Sequence, residues 1–143
     1  MWSLLVKDVM DTAKALTVAP EATVSEVAAL MAQRNTGAAM VVDRDSLVGI
    51  FTERDALYRV IAIGLNPEVT TMRQVMTPDP QTVEPNRSYG FALLVMQENH
   101  FRHVPVVKSG QVVGIVSSRN ALDPDLEEFV SEANRREHIR AEG

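Results

Sequence analysis

The chain has 143 residues, 45% of them hydrophobic, a formal net charge of −5 and no cysteine. That is apolar mass for one core of ordinary size, or for two half-size units that share one. The acidic balance argues against a broad nucleic-acid or anionic-membrane surface, and the lack of cysteine excludes disulfides and thiolate chemistry. The start, MWSLLVKD, meets charge at Lys7 and Asp8, too early for the apolar region of a signal peptide. No run approaches the ~20 apolar residues of a membrane span, so the expectation is a soluble, cytoplasmic chain.

In chain order, the first strong periodic signal is Val24, Val27, Ala28 and Met31, the i, i+3, i+4, i+7 spacing of one helical face, with Thr23 placed as its N-cap. Two apolar runs follow, Ala38 to Val42 and Leu47 to Phe51, joined across Asp43-Arg44-Asp45-Ser46, which reads as a hairpin. The spacing then predicts a helix over Glu53–Ile63 with Ala56, Leu57, Val60 and Ile61 as its stripe and Gly64 as its stop. A linker runs over 65–71. Beyond it the same pattern returns. Ser88 stands as an N-cap, and Tyr89, Ala92, Leu93 and Met96 form a helical face. Val104 to Val107 and Val112 to Val116 form a second hairpin across Lys108-Ser109-Gly110-Gln111. Asp123-Pro124 then suits the N-cap and first position of a tail helix with a Leu126, Phe129, Val130, Ala133 stripe.

The return is a duplication. At an offset of 65 residues, 10 of the 40 positions between 16–55 and 81–120 are identical, among them Thr17-Val18-x-Pro20, Met31, Val41-Val42, Val48-Gly49-Ile50 and Arg54. Val9-Met10 matches Val75-Met76 with one residue of slack. A period this long is not that of a solenoid. It predicts a pseudo-symmetric pair, each copy covering the other's apolar face, with units at 4–64 and 65–122 and a tail at 123–143.

The duplication reproduces one corner, GIFTERD (Gly49–Asp55) and GIVSSRN (Gly114–Asn120). Thr52-x-x-Asp55 has the spacing of a capping box, and Ser117-x-x-Asn120 is a weaker version. The same corner has a second reading, as a ligand site. A strand ends and a helix begins at once, so free N–H groups and the helix dipole attract a phosphate. Thr52 or Ser117 adds a hydroxyl, and Arg54 or Arg119 a fixed charge. Asp55 can accept both hydroxyls of a ribose, and the small run Thr36-Gly37-Ala38-Ala39-Met40 leaves an apolar slot for a base. Arg102-His103-Val104-Pro105 is its second-copy counterpart.

The repeated apolar-Pro-apolar-apolar, turn, apolar-Gly-Ile-apolar-Thr/Ser-x-x-Asp/Asn pattern resembles a tandem pair of CBS domains, named for cystathionine β-synthase. FRHVPVV, GIFTERD, GIVSSRN and VMTPDPQTV carry the resemblance, which covers roughly residues 4 to 122. It implies an α/β (α+β) fold of two β-α-β-β-α repeats packed through their sheets. It also implies AMP, ADP, ATP, NAD(H) or S-adenosylmethionine in the clefts between the repeats. The family's ribose carboxylate maps to Asp55 and its phosphate-side hydroxyl to Thr52; Asn120 and Ser117 take those places in the second copy. Met40 stands where the first repeat often has Pro, and Asn120 where Asp is commoner. Arg102 and His103 read as phosphate neighbours reaching across the cleft, and Lys14 as an edge of the first pocket. His100-x-x-His103 lacks further ligands for a metal. The chain shows no Ser-His-Asp or Cys-His arrangement and no GxxxxGK[ST], so the expectation is a non-catalytic sensor of adenine nucleotides. The competing reading is a structural or interaction module whose clefts stay empty. The family's habit implies a homodimer, a disc of four repeats, with output to a protein partner in trans.

Overall fold

The side chain of Thr23 accepts from the Glu26 amide at 3.2 Å, and Ser88 accepts from the Phe91 amide at 3.1 Å, so both long helices begin at the predicted caps. The computed structural model describes residues 4–13 and 15–121. The expectations for Lys14 and for the tail helix lie outside the described residues, as does the side chain of Asn120.

The described elements are α1 (Val6–Val9), β1 (Thr17–Val18), α2 (Val24–Arg34), β2 (Ala38–Asp43), β3 (Ser46–Thr52) and a single turn α3 (Glu53–Asp55) that passes into a π-helical segment, Ala56–Ile61. There follow α4 (Met72–Val75), β4 (Thr77–Pro78), α5 (Tyr89–Asn99), β5 (His103–Lys108), β6 (Gln111–Ser117) and a 3-10 turn, Ser118–Ala121. Both hairpins turn on two residues with positive φ, Arg44 and Asp45 in the first and Ser109 and Gly110 in the second. That geometry matches the twist of the strands it joins. Both hairpins also shift register at the same place, Val41/Val42 and Val106/Val107. Both long helices end on a left-handed residue, Asn35 and His100, again 65 positions apart.

The first sheet has the order β1-β2-β3-β4, with β1 parallel to β2 and the other pairs antiparallel. β5 and β6 form the second, and single bridges at Val83–Val106 and Asp11–Ile115 stand where β1 and β4 stand in the first. The cores draw on both halves of the sequence. Met72 and Val75 of α4 are buried with Leu16, Val27, Met31 and Phe51, while Val6 of α1 is buried with Val83, Tyr89, Met96 and Val116. Each opening segment therefore packs on the other repeat. Fully burying one such side chain is worth about 1.5–3 kcal/mol, so these exchanged segments hold the repeats together strongly. A third cluster, Ala38, Met40, Ile50 and Ile115, fills the seam between the sheets.

Two expectations about buried stripes need correction. After Asp55 the chain is not a regular α-helix to Ile63 but a π-helical segment. Its wider i→i+5 bonding breaks the 3.6-residue period, so Val60 stays buried while Leu57 and Ile61 are 50% and 69% exposed. Gly64 does end the segment, at φ 82°. On α2, Ala28 is exposed because it faces a cavity rather than a packed partner. Among the described residues, no helix is long and apolar enough to cross a membrane.

Candidate functional site

The two corners are fastened alike. The Glu53 amide donates to the Gly37 carbonyl at 3.1 Å, and the Ser118 amide donates to the Arg102 carbonyl at 3.0 Å. Each bond ties the start of the corner helix to the residue just before the first strand of its hairpin, so each corner opens beside the start of that strand.

In the first corner the capping box is formed. The Thr52 amide donates to Asp55 Oδ2 at 2.9 Å, the Thr52 hydroxyl contacts the same oxygen at 3.3 Å, and the Asp55 amide donates to Thr52 Oγ1 at 3.3 Å. The other carboxylate oxygen lies 3.5 Å from Arg59 Nε. Arg59 in turn donates to the carbonyls of Val75 and Met76 at 3.3 and 3.1 Å, so Asp55 is coupled to the end of α4. An ionised carboxylate has about four acceptor positions. These contacts occupy about three of them, so a diol must share Asp55 with Thr52 or Arg59.

The slot residues divide by strand alternation. Ala38 and Met40 are fully buried in the seam, whereas Ala39 packs into the first core. In the second repeat Val104 belongs to the second core, His103 is half-buried and Pro105 is buried. Thr36 donates to the Ala38 carbonyl at 3.4 Å. The corner arginines reach across the repeats. Arg54 donates to the His100 carbonyl at 3.3 Å and lies 5.7 Å from the Tyr58 ring centroid. Arg119 lines a cavity of about 320 Å³ with Asn35, Thr36, Gly37, Phe51 and Glu53 of the first repeat. That volume is at the small end of ligand pockets. His103 feels Glu53 and Arg119 from the two repeats. Burial is the main influence and lowers its pKa below the usual histidine value; Glu53 raises it, and Arg119 and Arg102 lower it further.

Thr36, Gly37, Glu53 and Arg119 are thus brought together, with His103 in range, while Thr52 and Asp55 flank Glu53 in the chain and do not line the cavity. Three contributors are not evident from the motif alone. Arg59 lies one helical turn beyond Asp55, and only the fold shows that it spans to α4. Glu53 is inside the quoted corner, and its orientation over Gly37 is tertiary. The buried Tyr89 donates its hydroxyl to the Ser117 carbonyl at 2.8 Å; the one visible signal is a phenol where the first repeat has Val24. Among the described residues no three His, Asp or Glu side chains converge as metal ligands. His100 is an exposed helix end, and His103 opens β5.

Residues 6–62 and 72–125 each match the model of the CBS domain. The chain is a tandem CBS-domain pair. The CBS pair is 38% identical over 112 residues to the CBS domain-containing protein YhcV of Bacillus subtilis, covering 78% of this chain and 79% of that one. It is 40% identical over 107 residues to CBSCBSPB1 of Arabidopsis thaliana, but that match spans 74% of this chain and only 20% of the plant protein. Among solved structures, a conserved protein of Pyrococcus horikoshii superposes with a TM-score of 0.80 at 29% identity, over 87% of this chain and 94% of that chain. The CBS domain protein PAE2072 of Pyrobaculum aerophilum, solved with AMP, gives 0.75 at 26% identity, over 82% and 89% of the two chains. The CBS pair of MJ0100, solved with 5′-methylthioadenosine and S-adenosyl-L-methionine, gives 0.74 at 27%, over 87% and 97%.

Proposed function

We propose that this CBS pair is a non-catalytic sensor that binds an adenosine-containing ligand between its repeats. The observation that carries the reading is the cross-repeat cavity, in which Arg119 of the second repeat faces Thr36, Gly37 and Glu53 of the first. A ligand there contacts both repeats at once, so its binding energy acts on their relative packing. In this reading Arg119 faces the phosphate or its replacement, and Thr36 and Gly37 ahead of β2 border the base. Asp55 and Thr52, beside the lining residues Glu53 and Ala56 but not themselves in the lining, take the ribose and the phosphate side. AMP with PAE2072, and the methylthioadenosine and S-adenosylmethionine with MJ0100, support that choice of ligand class. A thermal-shift panel of AMP, ADP, ATP, NAD(H) and S-adenosylmethionine tests it, since a ligand that binds only the folded state raises the melting temperature. No shift with any of them, confirmed by calorimetric titration, refutes it.

One observation favours a second reading, a protein-interaction module with empty clefts. Asp55 is already engaged by Thr52 and Arg59, as a purely structural cap would be. The two readings share an assembly. Leu57, Tyr58, Ile61, Phe91 and Leu94 are all at least 36% exposed and belong to the corner helix of one repeat and α5 of the other. Apolar exposure on this scale marks an interaction surface, and a second copy of the chain is its proposed occupant. A regulated protein partner in trans would then read the dimer.

A further inference from the structure

The two corners match in backbone and differ in charge. The 65-residue offset pairs Gly37 with Arg102 and Glu53 with Ser118. The equivalent amide-to-carbonyl bonds, Glu53 to Gly37 and Ser118 to Arg102, place both pairs alike. Where the second repeat carries a guanidinium and a hydroxyl, the first carries a carboxylate and no side chain.

The missing side chain matters. A Cβ on Gly37 would stand 3.0 Å from Cδ and from both carboxylate oxygens of Glu53. With no Cβ at Gly37 this carboxylate lies against the strand start; a Cβ there would make the flexible end of Glu53 give slightly. From there it lines the cavity that Arg119 also lines. Asp55 has Arg59 beside it at 3.5 Å, whereas among the described residues Glu53 makes no ion pair within 4.0 Å. An anion in this cavity meets Arg119 and Glu53 together. Each further negative charge adds to the attraction from Arg119 and to the repulsion from Glu53, so Glu53 offsets what a longer phosphate chain would gain from Arg119.

We propose that Glu53 sets the charge of the ligand taken by the first cleft, admitting an adenosine ligand with a neutral, cationic or singly phosphorylated 5′ end and disfavouring a di- or triphosphate chain. The proposal rests on the adenosine-ligand reading and adds a selectivity to it. Ser118 gives the second cleft no such restriction.

The test is calorimetric titration of AMP and ATP into the parent chain, Glu53→Gln and Glu53→Ser, the last copying the second repeat. Both variants are expected to raise the affinity for ATP relative to AMP by about threefold to tenfold, an effect that shrinks in high salt because Glu53 is exposed and screened. The reciprocal Ser118→Glu is expected to lower the same ratio. An unchanged ratio in both Glu53 variants, with AMP still bound and the melting temperature intact, overturns the role of Glu53 and leaves the adenosine site standing. No binding of either nucleotide, or of S-adenosylmethionine, by parent or variants overturns the site and this selectivity with it.

Discussion

The thioether of Met76 occupies the space where Gly49 would carry a side chain, and Met10 stands in the same way over Gly114. A Cβ on Gly49 would collide with Met76 Sδ and come within 2.8 Å of its Cγ; one on Gly114 would lie 2.9 Å from Met10 Sδ. Gly49 and Gly114 lie in the middle of β3 and β6, and both methionines arrive on the exchanged segments. The glycines are therefore seats for the crossing segments.

Gly49→Val is expected to destabilise the fold by about 1–3 kcal/mol, the usual cost of overpacking. Met76→Ala in the same chain vacates the seat, so the double variant is expected to lose less than the two single changes combined. Urea denaturation of the four proteins measures the coupling. Strict additivity would show that Met76 and Gly49 do not share the space.

Asp55→Ala removes both the partner of the Thr52 amide and the carboxylate proposed for the ribose. Loss of the cap alone is expected to cost about 0.5–2 kcal/mol of stability. Loss of charged hydrogen bonds to the diol is expected to weaken an adenosine ligand by roughly tenfold to a hundredfold. Asn120→Ala, where an amide could offer a diol only neutral bonds, is expected to cost about twofold to little more than tenfold. A lower melting temperature with unchanged affinity in Asp55→Ala would assign the residue to capping alone.

His103 makes stability depend on pH. Burial lowers its pKa in the folded chain below the ordinary value near 6.5, so the unfolded chain binds the proton more readily. Stability is therefore expected to rise with pH through the window from the lowered folded pKa up to about 6.5, and to carry the full penalty below it. His103→Gln should flatten that part of the profile relative to the parent. Denaturation midpoints across the window, taken on both proteins, are the measurement; parallel profiles would contradict the assignment.

Ile61→Glu places a charge among the exposed apolar side chains of the corner helix without touching the buried Val60. It is expected to convert a dimer into a species of the 15.8 kDa chain mass while leaving the melting transition cooperative. Light scattering at high micromolar concentration decides it. A parent chain already at that mass would remove the dimer from the proposal.

Much of this architecture is local and therefore legible in the sequence. The helix faces at Val24–Met31 and Tyr89–Met96, the caps at Thr23 and Ser88, and both hairpins follow from periodicity and turn chemistry. The pseudo-symmetry follows from the 65-residue offset, because equal patterns fold alike. The Thr52-x-x-Asp55 corner was visible as a spacing, with both its capping and its ligand reading. What periodicity does not carry is the partner of each face. That α1 packs on the second repeat and α4 on the first depends on which surface each segment can reach once the sheets meet. The π-helical turn after Asp55 exposes Leu57 and Ile61 against the 3.6-residue pattern, and Arg59 within it reaches both Asp55 and the end of α4. The placing of Glu53 over Gly37, within one cavity with Arg119 from 66 residues farther along the chain, is likewise a product of packing. A sequence fixes which side chains are available at each corner, but the distance between charges on different repeats is set only when the two cores close on each other.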